Sequence, residues 1–208
     1  MFFLSEQIEF PDVSQATEDG LLAMGGDLSP ERLIYAYKHG IFPWFDKNQP
    51  ILWWSPDPRF VLFPEKLKVS KSMKKILKEQ DFTITENKAF ERVITNCAKV
   101  FRKDQIGTWI TEEMKTSYIQ LNKKGYAKSV EVWKDNELVG GLYGIDLGNG
   151  VFCGESMFYT VSNASKIAFI YLVEQNKYRL IDCQIYTKHL ESLGAENIPR
   201  SEFIRLLK

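Results

Sequence analysis

Long apolar runs are missing from this chain, and none approaches the ~18 residues that a membrane-spanning helix requires. Cysteine is scarce: Cys97, Cys153 and Cys183 are odd in number and show no CxxC spacing. That speaks against a zinc ribbon or a disulfide frame and for reduced thiols in a cytoplasmic protein. Only two histidines occur, His39 and His189, and each reads as an isolated surface residue at a helix end. A Ser-His-Asp or Cys-His centre therefore has no identifiable members. Neither sign of charge is in excess, with 27 basic and 27 acidic residues, so affinity for nucleic acid would have to come from a local patch. A basic start and a small-residue cleavage site are lacking, while Glu6 and Glu9 lie close to Met1, which predicts no signal peptide. The glycines at 140, 141, 144, 148 and 150 match neither a Walker loop nor a dinucleotide fingerprint. They fit hairpin turns and close packing.

What is present is an ordinary globular composition, 44% apolar and 26% charged, with fourteen phenylalanines and five tryptophans. Residues 1–64 hold seven of the eight prolines and three of the tryptophans, and predict a small N-terminal domain of short strands around an aromatic cluster. One helix stands out there, with Ser29 as its cap, Pro30 at its first position and Gly40 after its end. From residue 65 to 208 helices alternate with strands: helices over 71–79, 87–100, from Thr111 to Gly125, over 163–176 and 187–193, and from Ser201. Strands are predicted over 82–85, 151–158, 179–185 and 195–198, and a hairpin turns at Lys134-Asp135-Asn136 between 129–133 and 137–145. The class expected is α+β, with a mixed, mostly antiparallel sheet.

Two strings carry the chemistry: Phe152-Cys153-Gly154-Glu155-Ser156-Met157-Phe158 and Leu180-Ile181-Asp182-Cys183-Gln184. Each reads as a buried strand that includes an acid, and a buried carboxylate has to be paired, hydrogen-bonded or protonated. Alternation predicts Cys153, Glu155 and Met157 on one face, and Asp182 with Gln184 on one face of the other strand. On neighbouring strands, these groups would converge on one apolar cavity. From the residues alone, the default for each acid is a structural one paired with Arg or Lys, and a catalytic or ligand-contacting acid is the minority reading.

Six lysines (66, 68, 71, 74, 75 and 78) are interrupted by no acid, and 71, 74, 75 and 78 share a helix face opposite Met73, Ile76 and Leu77. The stripe is either a solvated face or a phosphate-binding one. The run Trp53-Trp54-Ser55-Pro56-Asp57-Pro58-Arg59 could offer rings for stacking, or could simply staple the Pro-rich part together.

Longer motifs add a resemblance. The segments 20–29 (GLLAMGGDLS), 40–45 (GIFPWF), 51–59 (ILWWSPDPR), 107–111 (GTWIT) and 139–144 (VGGLYG) resemble those of the bacterial leucyl/phenylalanyl-tRNA–protein transferases. So do the 152–158 and 180–184 strings, 163–166 (NASK) and 192–195 (SLGA), so that the likeness spans nearly the whole chain. It implies a catalytic domain of N-acetyltransferase-like fold that acts as a cytoplasmic monomer, without cofactor, metal or membrane. Such an enzyme moves Leu or Phe, with Met as a further candidate donor, from aminoacyl-tRNA to the N-terminal Arg or Lys of a protein, creating a degradation signal. By that resemblance Gln184 hydrogen-bonds the attacking amine, Asp182 orients Gln184, and Glu155 helps position the cationic acceptor. Leu142, Phe152, Ser156, Met157, Phe169, Leu172 and Ile181 would bind the donor side chain, with Tyr37, Trp44, Trp109 and Tyr118 at the adenosine and the pocket mouth. Lys71, Lys75 and Lys78 would contact the acceptor stem. Leu142 stands where the family is expected to have methionine and Leu172 where it has an aromatic, which bears on the balance between donors.

Two rival readings stand beside it. An acetyl-CoA-dependent N-acetyltransferase would want a Gly-rich turn at a helix start, and the stretch from Thr160 to Lys166 has no glycine. A non-catalytic tRNA-binding module would leave Glu155, Asp182 and Gln184 without a role.

Overall fold

The computed structural model describes residues 2–79, 81–100 and 108–208, so Gly107 of the 107–111 motif lies outside the described residues. The chain starts with β1 (Phe2–Leu4), β2 (Leu21–Gly25), α1 (Pro30–Lys38), β3 (Phe42–Pro43) and β4 (Leu52–Trp54). These strands form a four-stranded sheet of order β1-β2-β4-β3. Helix α1 starts as its sequence dictates: Ser29 accepts from the Arg32 N–H, Pro30 occupies the first turn, and Gly40 has the positive φ of 75° that lets the chain leave. Trp53 is fully buried and donates from Nε1 to the Gly25 carbonyl at 2.9 Å, while Trp54 donates to the Trp44 carbonyl at 2.7 Å. Of the two readings of this run, the packing role is the one Trp53 fills.

There follow β5 (Arg59–Leu62), α2 (Lys71–Glu79), β6 (Thr83–Glu86), α3 (Phe90–Lys99), α4 (Glu112–Lys123), β7 (Ala127–Lys134), β8 (Glu137–Asp146) and β9 (Val151–Tyr159). Then come α5 (Ala164–Glu174), β10 (Leu180–Gln184), α6 (Lys188–Ser192), β11 (Glu196–Ile198) and α7 (Arg200–Leu207). The larger sheet has the order β11-β5-β10-β9-β8-β7-β6, and β9–β10 is its one parallel pair. This is the α+β class with a mixed, mostly antiparallel sheet. The β7–β8 turn is closed by Asp135 and Asn136, both with positive φ, as a two-residue hairpin with right-handed strand twist demands. Strand β5 precedes residue 64 yet is hydrogen-bonded between β11 and β10, so the large sheet recruits chain ahead of the division read from composition.

The sheet separates two apolar layers. Tyr143, Ile145, Cys153 and Phe158 pack with α3, α4, α1 and the small sheet on one face. Leu142, Phe152 and Ile181 pack with α5 on the other, where Met73 of α2 joins them. Helix α5 buries eight of its eleven residues, and its approach to β8 is close: a Cβ at Gly140 would stand 2.5 Å from that of Ala164. A glycine is required there.

Candidate active site

Strands β9 and β10 pair only over Val151–Cys153 and Leu180–Asp182, then part. At the point of parting each departs from simple alternation. On β9 the register against β8 shifts between Gly154 and Ser156, leaving Glu155 as the extra residue of a bulge. Met157 consequently sits in the α5 layer with Leu142 and Phe152, opposite to Cys153. The single face expected for Cys153, Glu155 and Met157 is therefore corrected, because a bulge re-aims every residue beyond it.

On β10 the register against β5 shifts between Asp182 and Gln184, and Cys183 is the extra residue. Asp182 lies opposite Val61 of one layer and Gln184 opposite Phe60 of the other, so the shared face expected for them is also lost. Gln184 has a φ of 64°, the left-handed region that non-glycine residues seldom enter. Its backbone N–H donates to Asp182 Oδ1 at 2.9 Å, which holds the turn.

Asp182 is completely buried and is matched by a cation that is 1% exposed. Arg59 Nε donates to Oδ1 at 2.8 Å and Nη2 to Oδ2 at 2.7 Å, a two-pronged pair. The guanidinium also donates to the Gly40 carbonyl at 3.2 Å and lies over the rings of Phe42 and Phe203. Asp182 therefore acts on Gln184 through the backbone, with both its oxygens committed to Arg59.

The side chain of Gln184 turns the other way and donates from Nε2 to Glu155 Oε1 at 2.8 Å. Glu155 further accepts from Tyr37 at 2.7 Å on Oε1 and from Tyr118 at 3.0 Å on Oε2, and the two tyrosine hydroxyls are hydrogen-bonded to each other. Burial pushes the carboxyl up to about 7, against the opposing pull of hydrogen bonds from Tyr37, Tyr118 and Gln184 and with a further push from the Asp182 charge. Burial, then the nearby Glu155 charge, raises both tyrosines well above the ordinary phenol range.

Glu155, Asp182 and Gln184 stand on the wall of a cavity of 360 Å³. Leu142, Phe152, Met157, Phe169, Leu172 and Ile181 belong to its apolar wall, and Ser156, Trp44 and Trp109 also border it. Gly144 of β8 helps shape that wall, since a Cβ there would meet the Phe152 ring at 2.6 Å. An apolar hollow with the hydrogen-bonded pair Glu155 and Gln184 at its edge can seat an aliphatic or aromatic side chain and present that pair to whatever is attached to it.

A sequence model described as leucyl/phenylalanyl-tRNA protein transferase matches residues 61–208, and one for the N-terminal domain of that enzyme matches residues 26–57. The leucyl/phenylalanyl-tRNA–protein transferase of Flavobacterium johnsoniae is 59% identical, over 100% of this chain and 99% of that protein. The protein of the same name from Christiangramia forsetii is 58% identical, over 100% of both. The chain belongs to the leucyl/phenylalanyl-tRNA–protein transferase family. A solved GCN5-related N-acetyltransferase from Kribbella flavida overlaps weakly, with a TM-score of 0.38 at 11% identity, over 78% of this chain and 58% of that one.

Twelve of the seventeen residues singled out from the transferase resemblance border this cavity. Tyr37 and Tyr118, expected at its mouth, instead stand behind the wall, 1% and 0% exposed, with their hydroxyls on Glu155. Lys71, Lys75 and Lys78 are exposed on α2, outside the cavity lining, and Lys75 lies 3.9 Å from Glu79. Sequence reasoning missed Arg59, although it ends the Trp-Pro run; the signal was the need of any buried Asp182 for a cation. It also missed His189, read as a surface residue but found on the cavity border, with Nε2 buried without a hydrogen-bond partner and burial holding the imidazole below its ordinary pKa.

Proposed function

We propose that the protein transfers Leu or Phe from aminoacyl-tRNA to the N-terminal Arg or Lys of acceptor proteins, forming a peptide bond that marks the acceptor for degradation. The observation that carries this reading is the Gln184–Glu155 hydrogen bond at the border of the apolar cavity. The donor side chain fills the hollow, which places its ester carbonyl beside Gln184. With Nε2 held by Glu155, the amide directs Oε1 toward the incoming α-amine and fixes its approach. The amine nitrogen bonds to the ester carbon, the bond from that carbon to the ribose oxygen breaks, and the proton lost by nitrogen balances the one gained by the ribose hydroxyl. An activated ester and an amine need orientation and proton transfer but no covalent enzyme intermediate.

Asp182 holds the turn that aims Gln184, and Glu155 attracts the cationic acceptor terminus. The α2 lysines contact the tRNA acceptor stem through phosphates. The reading includes action as a monomer, in the cytoplasm where charged tRNA resides. Purified protein supplied with Leu-tRNA and a peptide beginning with Arg should yield the Leu-extended peptide without added cofactor. No extension with demonstrably charged tRNA would refute the reading, and a peptide beginning with Glu should stay unmodified.

A further inference from the structure

Tyr37, Tyr118 and Glu155 make three mutual contacts: hydroxyl to hydroxyl, and each hydroxyl to one carboxyl oxygen. A hydrogen bond needs one proton, and a phenol supplies one. Two phenols and a carboxylate thus bring two protons to three contacts, and one pair of oxygens would face each other with lone pairs alone. A protonated carboxyl provides the missing proton and closes a ring: Glu155 Oε2–H donates to Tyr118, Tyr118 to Tyr37, and Tyr37 to Oε1. Gln184 Nε2 donates to Oε1 from outside the ring, as it can whether or not the acid is ionised.

We propose that Tyr37, Tyr118 and Glu155 form a closed three-proton ring that keeps Glu155 uncharged at rest, and that the acceptor's terminal ammonium displaces the ring's third proton on binding. The inference rests on the transfer reading for the identity of the acceptor, and on the hydrogen-bond count alone for the ring. The groups around the carboxyl agree with it. Arg59, the nearby cation on β5, is committed to Asp182, and Asp182 on β10 opposes a second negative charge. The buried hydroxyls of α1 and α4 and the Cys153 thiol on β9, itself pushed well up by burial, bring no compensating positive charge. A free carboxylate here would be an isolated charge beside an apolar hollow. The arriving ammonium removes that objection: the carboxyl O–H bond breaks, its proton goes to solvent, and the carboxylate that remains pairs with the ammonium. Tyr37 and Tyr118 are positioning residues in this scheme, since they act through Glu155.

Infrared titration of the intact, substrate-free enzyme tests the ring directly. The wild type should show a protonated-carboxyl carbonyl band at about pH 6 that fades through about pH 7, and the band should be missing from Glu155→Gln. Tyr37→Phe leaves one hydroxyl contact that the remaining phenol fills with its own proton, so the band should fade at lower pH than in the wild type. An ordinary donor to a carboxylate would give the opposite shift on removal. In steady-state transfer, KM for an Arg-initiated peptide should rise about tenfold per pH unit below about pH 7 in the wild type. No band in the wild type, a band that survives in Glu155→Gln, or an upward shift in Tyr37→Phe overturns the ring. A wild type that shows the band but transfers nothing refutes the transfer reading and leaves the ring standing.

Discussion

Replacing Arg59 by methionine separates what the Arg59–Asp182 pair does for the fold from what it does for the site. In the Arg59→Met protein, Asp182 keeps its bond from the Gln184 N–H but loses both guanidinium bonds, in a place with 0% exposure. Leaving one member of a buried pair uncompensated costs about 3–5 kcal/mol. Against a total stability of about 5–15 kcal/mol that is a large share. The Gly40 carbonyl loses a donor as well, which places the expectation in the upper half of the range. Adding Asp182→Leu removes the stranded charge, so the double variant should recover about 2 kcal/mol or more relative to Arg59→Met. Recovery of the fold should not restore activity, because Gln184 then lacks the acceptor that holds its left-handed turn. The assay pairs urea unfolding of the wild type, both single variants and the double variant with their rates of Leu transfer. Two outcomes would refute the reasoning: an Arg59→Met protein within about 1 kcal/mol of wild type, or a double variant that transfers Leu at the wild-type rate.

Three further expectations concern other parts of the molecule. Glu155 ionises at about 7 when folded and at the ordinary 4.5 when unfolded, so the folded chain keeps its proton longer. Its contribution is therefore most favourable below about pH 4.5, is lost as pH rises through about 7, and amounts to at most about 3 kcal/mol; urea unfolding of Glu155→Gln should lack this fall. Changing Lys71, Lys75 and Lys78 to Ala should lower the slope of log affinity for tRNA against log salt by about 2, with unfolding changed by less than about 0.5 kcal/mol, and an unaltered slope would clear α2 of phosphate contact. Leu142→Phe thickens the wall opposite Met157 and should cut kcat/KM for Phe transfer about tenfold more than for Leu, read from side-by-side assays with the two charged tRNAs.

The elements were legible because their ends carry local chemistry. Ser29 and Thr111 cap α1 and α4 as their residue types require, accepting from the N–H groups of Arg32 and Met114. Asp135 and Asn136 made the β7–β8 hairpin readable in the same way. The convergence of Glu155, Asp182 and Gln184 was legible too, as acids in otherwise apolar strands. Their directions were not, because each strand carries a bulge and period-two reasoning fails beyond it. Gly154 was a usable hint for the first bulge, since glycine inside a strand often marks one. Nothing comparable marks the second: a glutamine occupies the left-handed position, and the Asp182–Arg59 pair that sustains it joins residues 123 apart in sequence. The roles of Tyr37 and Tyr118 were hidden for a similar reason. They lie on helices distant in sequence from Glu155, and only the packing of α1 and α4 under β9 brings their hydroxyls to one carboxyl.

The bulge at Cys183 lets Glu155 meet an amide, Gln184, while the second acid on the cavity wall, Asp182, is paired with Arg59. Had Gln184 been glutamate, two carboxyls would lie within hydrogen-bond reach of each other, close to Asp182, and one would have to stay protonated. The amide avoids this by donating to Glu155 from Nε2 whatever the state of the acid, and in the proposed transfer its Oε1 is the acceptor for the substrate. Glu155 is thereby the carboxyl left to respond to a bound cation, while Asp182 is spent on Arg59 and on backbone shape. The cavity wall can then remain apolar enough for a leucine or phenylalanine side chain while its edge answers to a cation. Separating the shaping carboxylate from the responding one requires the strands to part just where they do, and that parting is what the two extra residues, Glu155 and Cys183, provide.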